Sequence, residues 1–395
     1  MTYAPVCVTS GTLKLTLVNE CVAVCQGLAV IKTGPCTDAA SGGAISAAAG
    51  ASGVAVDTPF LSPEDVDTAA QVGMPELKKY RSEGFTFVGR IRLARGKARQ
   101  PTVGGSSNGP VAAAGAGADV VEGTPLVARV TRSGDLYMKH LPTLEAGPAF
   151  AFSPGSQPAS KGSGMPRPRT ANRTGASTKD IYGRDDRYEI DDHRSPYSSI
   201  GYINSGCTGA LIGPSIVLTA GHCVYDTYSR KWMADLNFWP GLSVGGKPHC
   251  HTDGSCYSAP EVEWDTANTV LTKARRPSKP GLTDTATIVL DIAVISLRGD
   301  LSDWGWFGYG YRCRATRYTL NTAGYPGTKP WGTMWYTSGA VSFAGCTGWT
   351  QAGVASGKID VEGGQSGSPM WSYDSQNGNL IRAIMCAGKE GLGLW

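Results

Sequence analysis

Charge is scarce in this sequence. Lys, Arg, Asp and Glu make up 17% of its 395 residues, and the net charge is only +4, where an ordinary soluble domain carries roughly 25% charged residues. That balance leaves no electrostatic footprint for a polyanion, so no nucleic-acid partner is expected. Long apolar runs are lacking too. The opening "MTYAPVCVTS" has neither the basic start nor the apolar stretch of an ordinary secretory signal. Residues 12–31, "TLKLTLVNECVAVCQGLAVI", are broken by Lys14, Asn19 and Glu20. They read as a buried strand pair or a short helix, not as a membrane span. There is no internal repeat. Histidine is rare, with His140, His193, His222, His249 and His251 the whole set, so imidazole chemistry has few places to sit.

Cysteine and glycine are not scarce. Eleven cysteines, in the local spacings described below, point to disulfides and an oxidising compartment, hence a secreted or extracellular protein. Glycine reaches 53 residues, which suggests long flexible segments beside a folded part. Residues 1–37 hold Cys7, Cys21, Cys25 and Cys36, read as structural thiols or a small disulfide-bonded unit rather than a metal site. Residues 38–56 are rich in Ala and Gly. In 75–100, "PELKKYRSEGFTFVGRIRLARGKARQ", the part "FTFVGRIRLA" alternates as a strand does. The basic residues here are better read as a solvated face or pro-region than as a nucleic-acid contact. "TPLVARVTRSGDLYMKHL" reads as a hairpin turning at "SGD". Residues 153–179 have the composition of a linker.

From about Asp180 the texture changes to short apolar and β-branched runs between Gly, Pro and Asp turns, with no long helical period. This is the pattern of an all-β domain. The expected organisation is therefore an N-terminal extension over 1–152 with small ordered pieces and a propeptide role. A flexible linker follows over 153–180, and a folded domain over 181–395.

Three stretches of that domain carry chemistry. In "CTGALIGPSIVLTAGHC", Cys207 to Cys223, an apolar strand ends at a glycine and His222 follows at once. Such a histidine either fills a structural role or points into a cleft. In "TATIVLDIAVISL", Asp291 sits inside an apolar run. An ionised carboxylate there needs a cationic or hydrogen-bonding partner, unless it is simply a surface residue at a strand end. In "GGQSGSP", Gly363 to Pro369, glycines surround Ser366. A serine hydroxyl needs an adjacent base to act as a nucleophile. The same glycines let the N–H groups of Gly364 and Ser366 aim at one point, where an oxyanion would sit. "HCHTDGSC", His249 to Cys256, reads as a Cys250–Cys256 bridged loop before a metal cluster.

Together these stretches resemble the trypsin-like serine proteases of the glutamyl-endopeptidase (V8-like) group. "GRDDRYEI", "CTGALIGPSIVLTAGHCVYD", "DIAVISL", "GYPGTKPWGTMWYTSGAV" and "GGQSGSPMW" follow that group's landmarks in order. The likeness covers 181–395 and none of the N-terminal half. It implies a chymotrypsin-like fold of two six-stranded antiparallel β-barrels, preceded by a largely disordered extension. It also implies His222 as general base and acid, Asp291 as its orienter, Ser366 as nucleophile, an oxyanion hole at Gly364 and Ser366, and a Cys207–Cys223 disulfide. No cofactor or metal is implied. The expected partners are polypeptide substrates, with no membrane span, and the expected state is a monomer. Cleavage of the extension is expected between Lys179 and Tyr182.

Three departures qualify the resemblance. Glutamate-specific members use a histidine on the last pocket strand, and "LIRAIMCAG" puts Met385 there. Asp360, six residues before the nucleophile, stands where trypsin's pocket floor selects Lys or Arg. The sequence stops at Trp395, where relatives continue, which predicts either a fragment or a second barrel closed in another way. The alternative class is a catalytically silent, protease-like binding or structural protein.

Overall fold

The computed structural model describes residues 66–68, 70–95, 126–140, 181–190, 194–226, 229–243, 258–271, 290–310, 316–343 and 357–386, plus the backbone of the other strands named below. The chain forms two compact units, Met1–Ala55 and Val56–Trp395. The first is an antiparallel sheet of β1 (Val6–Ser10), β2 (Leu13–Leu17) and β3 (Ala29–Thr33), ordered β2-β1-β3. Within 12–31 the described strands β2 and β3 each pair with β1 and not with each other, and residues 18–28 lie outside the described residues. Among the described residues no helix is long and apolar enough to cross a membrane.

The second unit opens with β4 (Val66–Asp67), helix α1 (Met74–Ser82), β5 (Thr86–Ile91), β6 (Leu126–Thr131) and β7 (Asp135–His140). Helix α1 has Pro75 and Glu76 in its first turn and Lys79 and Arg81 in its last, the polarity that the helix dipole favours. β6 and β7 form the expected hairpin, turning at Gly134 with φ +87°. Short strands β8 (Phe150–Ser153), β9 (Lys179–Asp180) and β10 (Tyr188–Ile190) lead on.

The first barrel comprises β11 (Ile200–Ile203), β12 (Cys207–Gly213), β13 (Ile216–Thr219), the hairpin β14 (Tyr225–Asp226) and β15 (Lys231–Trp232), β16 (Phe238–Pro240), the hairpin β17 (His249–Cys250) and β18 (Cys256–Tyr257), β19 (Trp264–Leu271) and β20 (Ala293–Leu297). Its six main strands run in the order β16-β11-β12-β13-β20-β19. Phe238 exchanges backbone hydrogen bonds of 3.0 and 2.9 Å with Val262, just ahead of β19, and so closes the ring. Burial alternates along "AVISL" of β20, where Ala293, Ile295 and Leu297 are buried and Val294 and Ser296 less so. That period places one side chain in two inside the barrel.

The second barrel comprises β21 (Gly308–Arg312), β22 (Thr316–Gly324), β23 (Met334–Phe343), β24 (Val354–Gly357), β25 (Val361–Glu362), β26 (Pro369–Asp374), β27 (Gly378–Ile384) and β28 (Leu392–Leu394). The path β26-β22-β23-β24-β28-β27 returns on itself, because β27 also pairs with β26. Two rings of six antiparallel strands are thus present, as expected, and β28 supplies the last side of the second.

Strands β4–β7 of the extension join the first barrel's sheet, while β8 pairs with β21 of the second. β6 pairs with the edge of β19 over Thr266–Leu271, and the order continues β19-β6-β7-β5-β4. Ala128, Val130 and Leu136 are fully buried and share one core with Val217, Leu218 and Ile295. Burying an aliphatic side chain of this size stabilises by about 1.5–3 kcal/mol, so this part of the extension contributes to the core that frames the site.

Candidate active site

β13 and β20 are antiparallel neighbours with Thr219 opposite Ala293. His222 comes three residues after Thr219 and Asp291 two before Ala293, so the ladder delivers both to the same end of the barrel. Both are buried. One carboxylate oxygen of Asp291 accepts the His222 backbone N–H at 2.7 Å, and the other faces His222 Nδ1 at 2.7 Å. An ionised carboxylate only accepts hydrogen bonds, so Nδ1 carries the proton and Nε2 keeps its lone pair. Nε2 is buried and has no hydrogen-bond partner among the described residues. Cys207 and Cys223 are disulfide-bonded and tie the His222 turn to the start of β12.

Ser366 lies in the turn between β25 and β26. Gly364 and Gly367 both have positive φ, +97° and +82°. A Cβ on Gly364 would overlap the Tyr325 carbonyl oxygen, and one on Gly367 would overlap Thr219 Oγ1 and the Thr208 carbonyl oxygen. Glycine is therefore required here both for conformation and for close approach. The contacts of Gly367 with Thr219 and Ala220 press the serine turn against the segment that leads into His222. Thr208 of β12 stitches the barrels together: its N–H donates to the Ser366 carbonyl at 2.8 Å, and its hydroxyl to the Gly364 carbonyl at 2.8 Å.

Within this turn the N–H groups of Gln365, Gly367 and Ser368 are used by Glu362, Met385 and Gln365 carbonyls. Those of Gly364 and Ser366 have no protein acceptor among the described residues. Among the described residues the Ser366 hydroxyl, like His222 Nε2, is buried without a hydrogen-bond partner. Two main-chain donors and one hydroxyl of the serine turn, and one nitrogen of His222, thus stand unspent. Buried polar atoms are seldom left so.

Asp360 and Met385, the residues expected to line the pocket, lie on either side of the turn in sequence. Met385 is buried in the second barrel's core with Ile359, Val361 and Met370, and it exchanges backbone hydrogen bonds with Gly367 and Ser368. Asp360 is also buried, and its oxygens accept the backbone N–H groups of Tyr182 at 2.8 Å and Asp186 at 3.1 Å. Burial pushes its carboxyl up, against those two hydrogen bonds. Cys386 remains a thiol and donates to the Asp291 carbonyl at 3.3 Å. Cys250 stands opposite Cys256 in the β17–β18 ladder, which suits the expected bridged loop; their side chains, with Cys313 and Cys346, lie outside the described residues.

Arg187 is a further group, one that no motif marks as part of the site. Its guanidinium has no exposed surface. It donates to Gln365 Oε1 at 2.9 Å, to Glu362 Oε2 at 2.8 Å and to both oxygens of Asp185 at 2.9 Å. Burial alone would lower its pKa, but the hydrogen bonds to Asp185 and Glu362 outweigh that and leave it raised.

A family model described as Trypsin matches residues 185–390, more than half of the chain. A glutamyl endopeptidase of Bacillus licheniformis is 31% identical over 209 residues, covering 51% of this chain and 58% of that protein. An extracellular metalloprotease of Bacillus subtilis is 29% identical over 221 residues, covering 53% and 62%. The chain thus spans about three fifths of the length of these relatives. A solved structure described as Glu endopeptidase in complex with MPD aligns at 29% identity with a TM-score of 0.38, over 54% of this chain and 92% of that one. With its landmarks in the order His222, Asp291, Ser366 and its matched segment spanning both barrels, this chain belongs to the trypsin family.

Proposed function

We propose that the protein is a secreted serine endopeptidase that hydrolyses peptide bonds through an acyl-enzyme. The observation that carries this reading is one imidazole held at one nitrogen and unspent at the other. Asp291 grips His222 by its backbone N–H and by Nδ1, while Nε2 and the Ser366 hydroxyl, both buried, have no hydrogen-bond partner among the described residues. In the reaction Ser366 Oγ attacks the scissile carbonyl carbon and passes its proton to His222 Nε2. The carbonyl oxygen takes the electron pair and is held by the N–H groups of Gly364 and Ser366; one such donor is worth roughly 2.7–4 kcal/mol of barrier. The tetrahedral intermediate collapses, the C–N bond breaks, and His222 returns the proton to the leaving amine. Water, deprotonated by His222, then attacks the ester, and Ser366 recovers its hydrogen. Asp291 stays ionised and stabilises the imidazolium at each stage.

The pocket is assigned to Asp360 and Met385. Asp360 spends its oxygens on backbone N–H groups, which weighs against its selecting Lys or Arg. Met385 brings no charge that would hold a glutamate. A neutral residue before the cleaved bond is the preference these two favour. Residues 1–152 are proposed as a pro-region, with the chain cut between Lys179 and Tyr182. A fluorophosphonate probe tests the central reading: the wild type is labelled at Ser366 and His222→Ala is not. Absence of labelling in the wild type contradicts it and favours a silent, protease-like binding protein.

A further inference from the structure

Residues 179–190 run behind the serine turn and are bound to it along their length. β9 pairs with β25, so that Asp180 faces Val361 and Lys179 faces Glu362. Asp360 takes the N–H groups of Tyr182 and Asp186, and β10 continues onto β23. Arg187 is the centre of this contact. Its Nη1 donates to Gln365 Oε1, which also accepts the Glu362 N–H at 3.1 Å. Glu362 is fixed in turn by the Thr328 N–H at 2.7 Å and the Thr328 hydroxyl. Lys329 Nζ reaches Asp185 at 3.1 Å. Two cations, Arg187 and Lys329, therefore meet two anions, Asp185 and Glu362, in a cluster around a fully buried guanidinium. A buried charge without such partners is strongly destabilising.

The position of Gln365 makes this cluster relevant to the chemistry. It sits between Gly364 and Ser366, whose N–H groups are the proposed oxyanion donors. Its own N–H bonds the Glu362 carbonyl at 3.1 Å and its carbonyl accepts the Ser368 N–H at 3.0 Å. Holding its side chain from behind fixes the peptide planes on both sides of it. Donors of this kind are effective only when their direction is set before the charge develops.

We propose that Arg187 is the positioning residue of the oxyanion hole, and that, because it belongs to the same chain and lies beyond the expected cut, the hole is formed in the uncut polypeptide. This rests on the endopeptidase reading above. Processing between Lys179 and Tyr182 then trims the extension and does not switch the chemistry on. An activation that needed a new amino terminus would leave the serine turn without an internal cation; here the guanidinium already occupies that place.

The test uses the full chain with Lys179→Gln to slow cutting, in the wild-type, Arg187→Lys, Arg187→Met and Gln365→Leu backgrounds. Fluorophosphonate labelling read by intact mass and steady-state hydrolysis of a peptide library are measured together. The full-length species carries one adduct on Ser366. Arg187→Met and Gln365→Leu lower kcat by roughly 100-fold, the scale of one lost oxyanion donor, with KM changed by less than about threefold, since substrate binding does not use the hole before the transition state. Arg187→Lys recovers part of kcat. Thermal melts of all four establish which variants are folded, and Gln365→Leu keeps the test open should Arg187→Met not fold. Adducts found only on a truncated species, or a kcat in both Gln365→Leu and a folded Arg187 variant equal to wild type, overturn the inference while leaving the endopeptidase reading intact. No Ser366 adduct in any species removes both.

Discussion

The two barrels hold their shares of the site by different means. In the first, a strand ladder does the placing. His222 and Asp291 flank paired strands, and the Thr219–Ala293 register brings carboxylate and imidazole together. In the second, Ser366 lies in a turn with two left-handed glycines, and no ladder fixes its peptide planes. Thr208 and Met385 bond its backbone, and the Arg187 side chain holds Gln365 and Glu362 from behind. A side-chain pair can be set by sheet register alone. A set of main-chain donors needs its turn fixed from behind, by groups that are buried and fully paired.

Breaking the first arrangement gives the larger effect. Asp291→Asn keeps the shape but puts a donor where an acceptor stood. The imidazole is then held in the wrong tautomer, and kcat falls by roughly 10⁴-fold with KM little changed, the scale seen for such triads. Steady-state kinetics on a peptide substrate check this; a loss below tenfold would mean that Asp291 merely packs.

The second arrangement yields a smaller, pH-dependent effect. The hydrogen bond from Arg187 holds the Asp185 carboxyl well below the usual range. At Glu362 burial works upward, but the Thr328 and Arg187 hydrogen bonds outweigh it and leave the group lowered. Both anions therefore stabilise the fold fully above the ordinary carboxylate range, and that contribution drains as pH falls through their lowered native values. Asp360 has the opposite sign: its raised pKa costs stability when ionised, and protonation relieves it. With two groups against one, the melting temperature of the wild type declines on acidification below about pH 4, and Arg187→Met flattens the decline. Identical acid limbs in the two proteins would detach the network from the acid response.

The same contrast explains what the sequence made legible. "GGQSGSP", "TAGHC" and "LDIAVISL" are local strings, each with its polar residue in an unusual apolar or glycine-rich setting, so the triad candidates stood out. The β6–β7 hairpin was legible from its alternation and its turn. The Arg187–Gln365 bond was not, because its partners are 178 residues apart and "GRDDR", though a landmark by resemblance, does not say what its charges meet. Nor was the docking of β6 on β19, since the open edge it covers belongs to a strand more than a hundred residues further on and leaves no period in either segment. For Asp360, position alone suggested a pocket floor; only the coordinates reveal that its oxygens already hold Tyr182 and Asp186.

The most direct test of the account is to trap the covalent intermediate. Wild-type protein mixed with an activated ester or a good peptide substrate, and quenched in acid during the burst, is digested and its peptides weighed. The expected result is one acyl group on Ser366, formed in an amount matching the enzyme and absent from Ser366→Ala. Turnover that persists in Ser366→Ala, or an acyl group carried by any other residue, contradicts it.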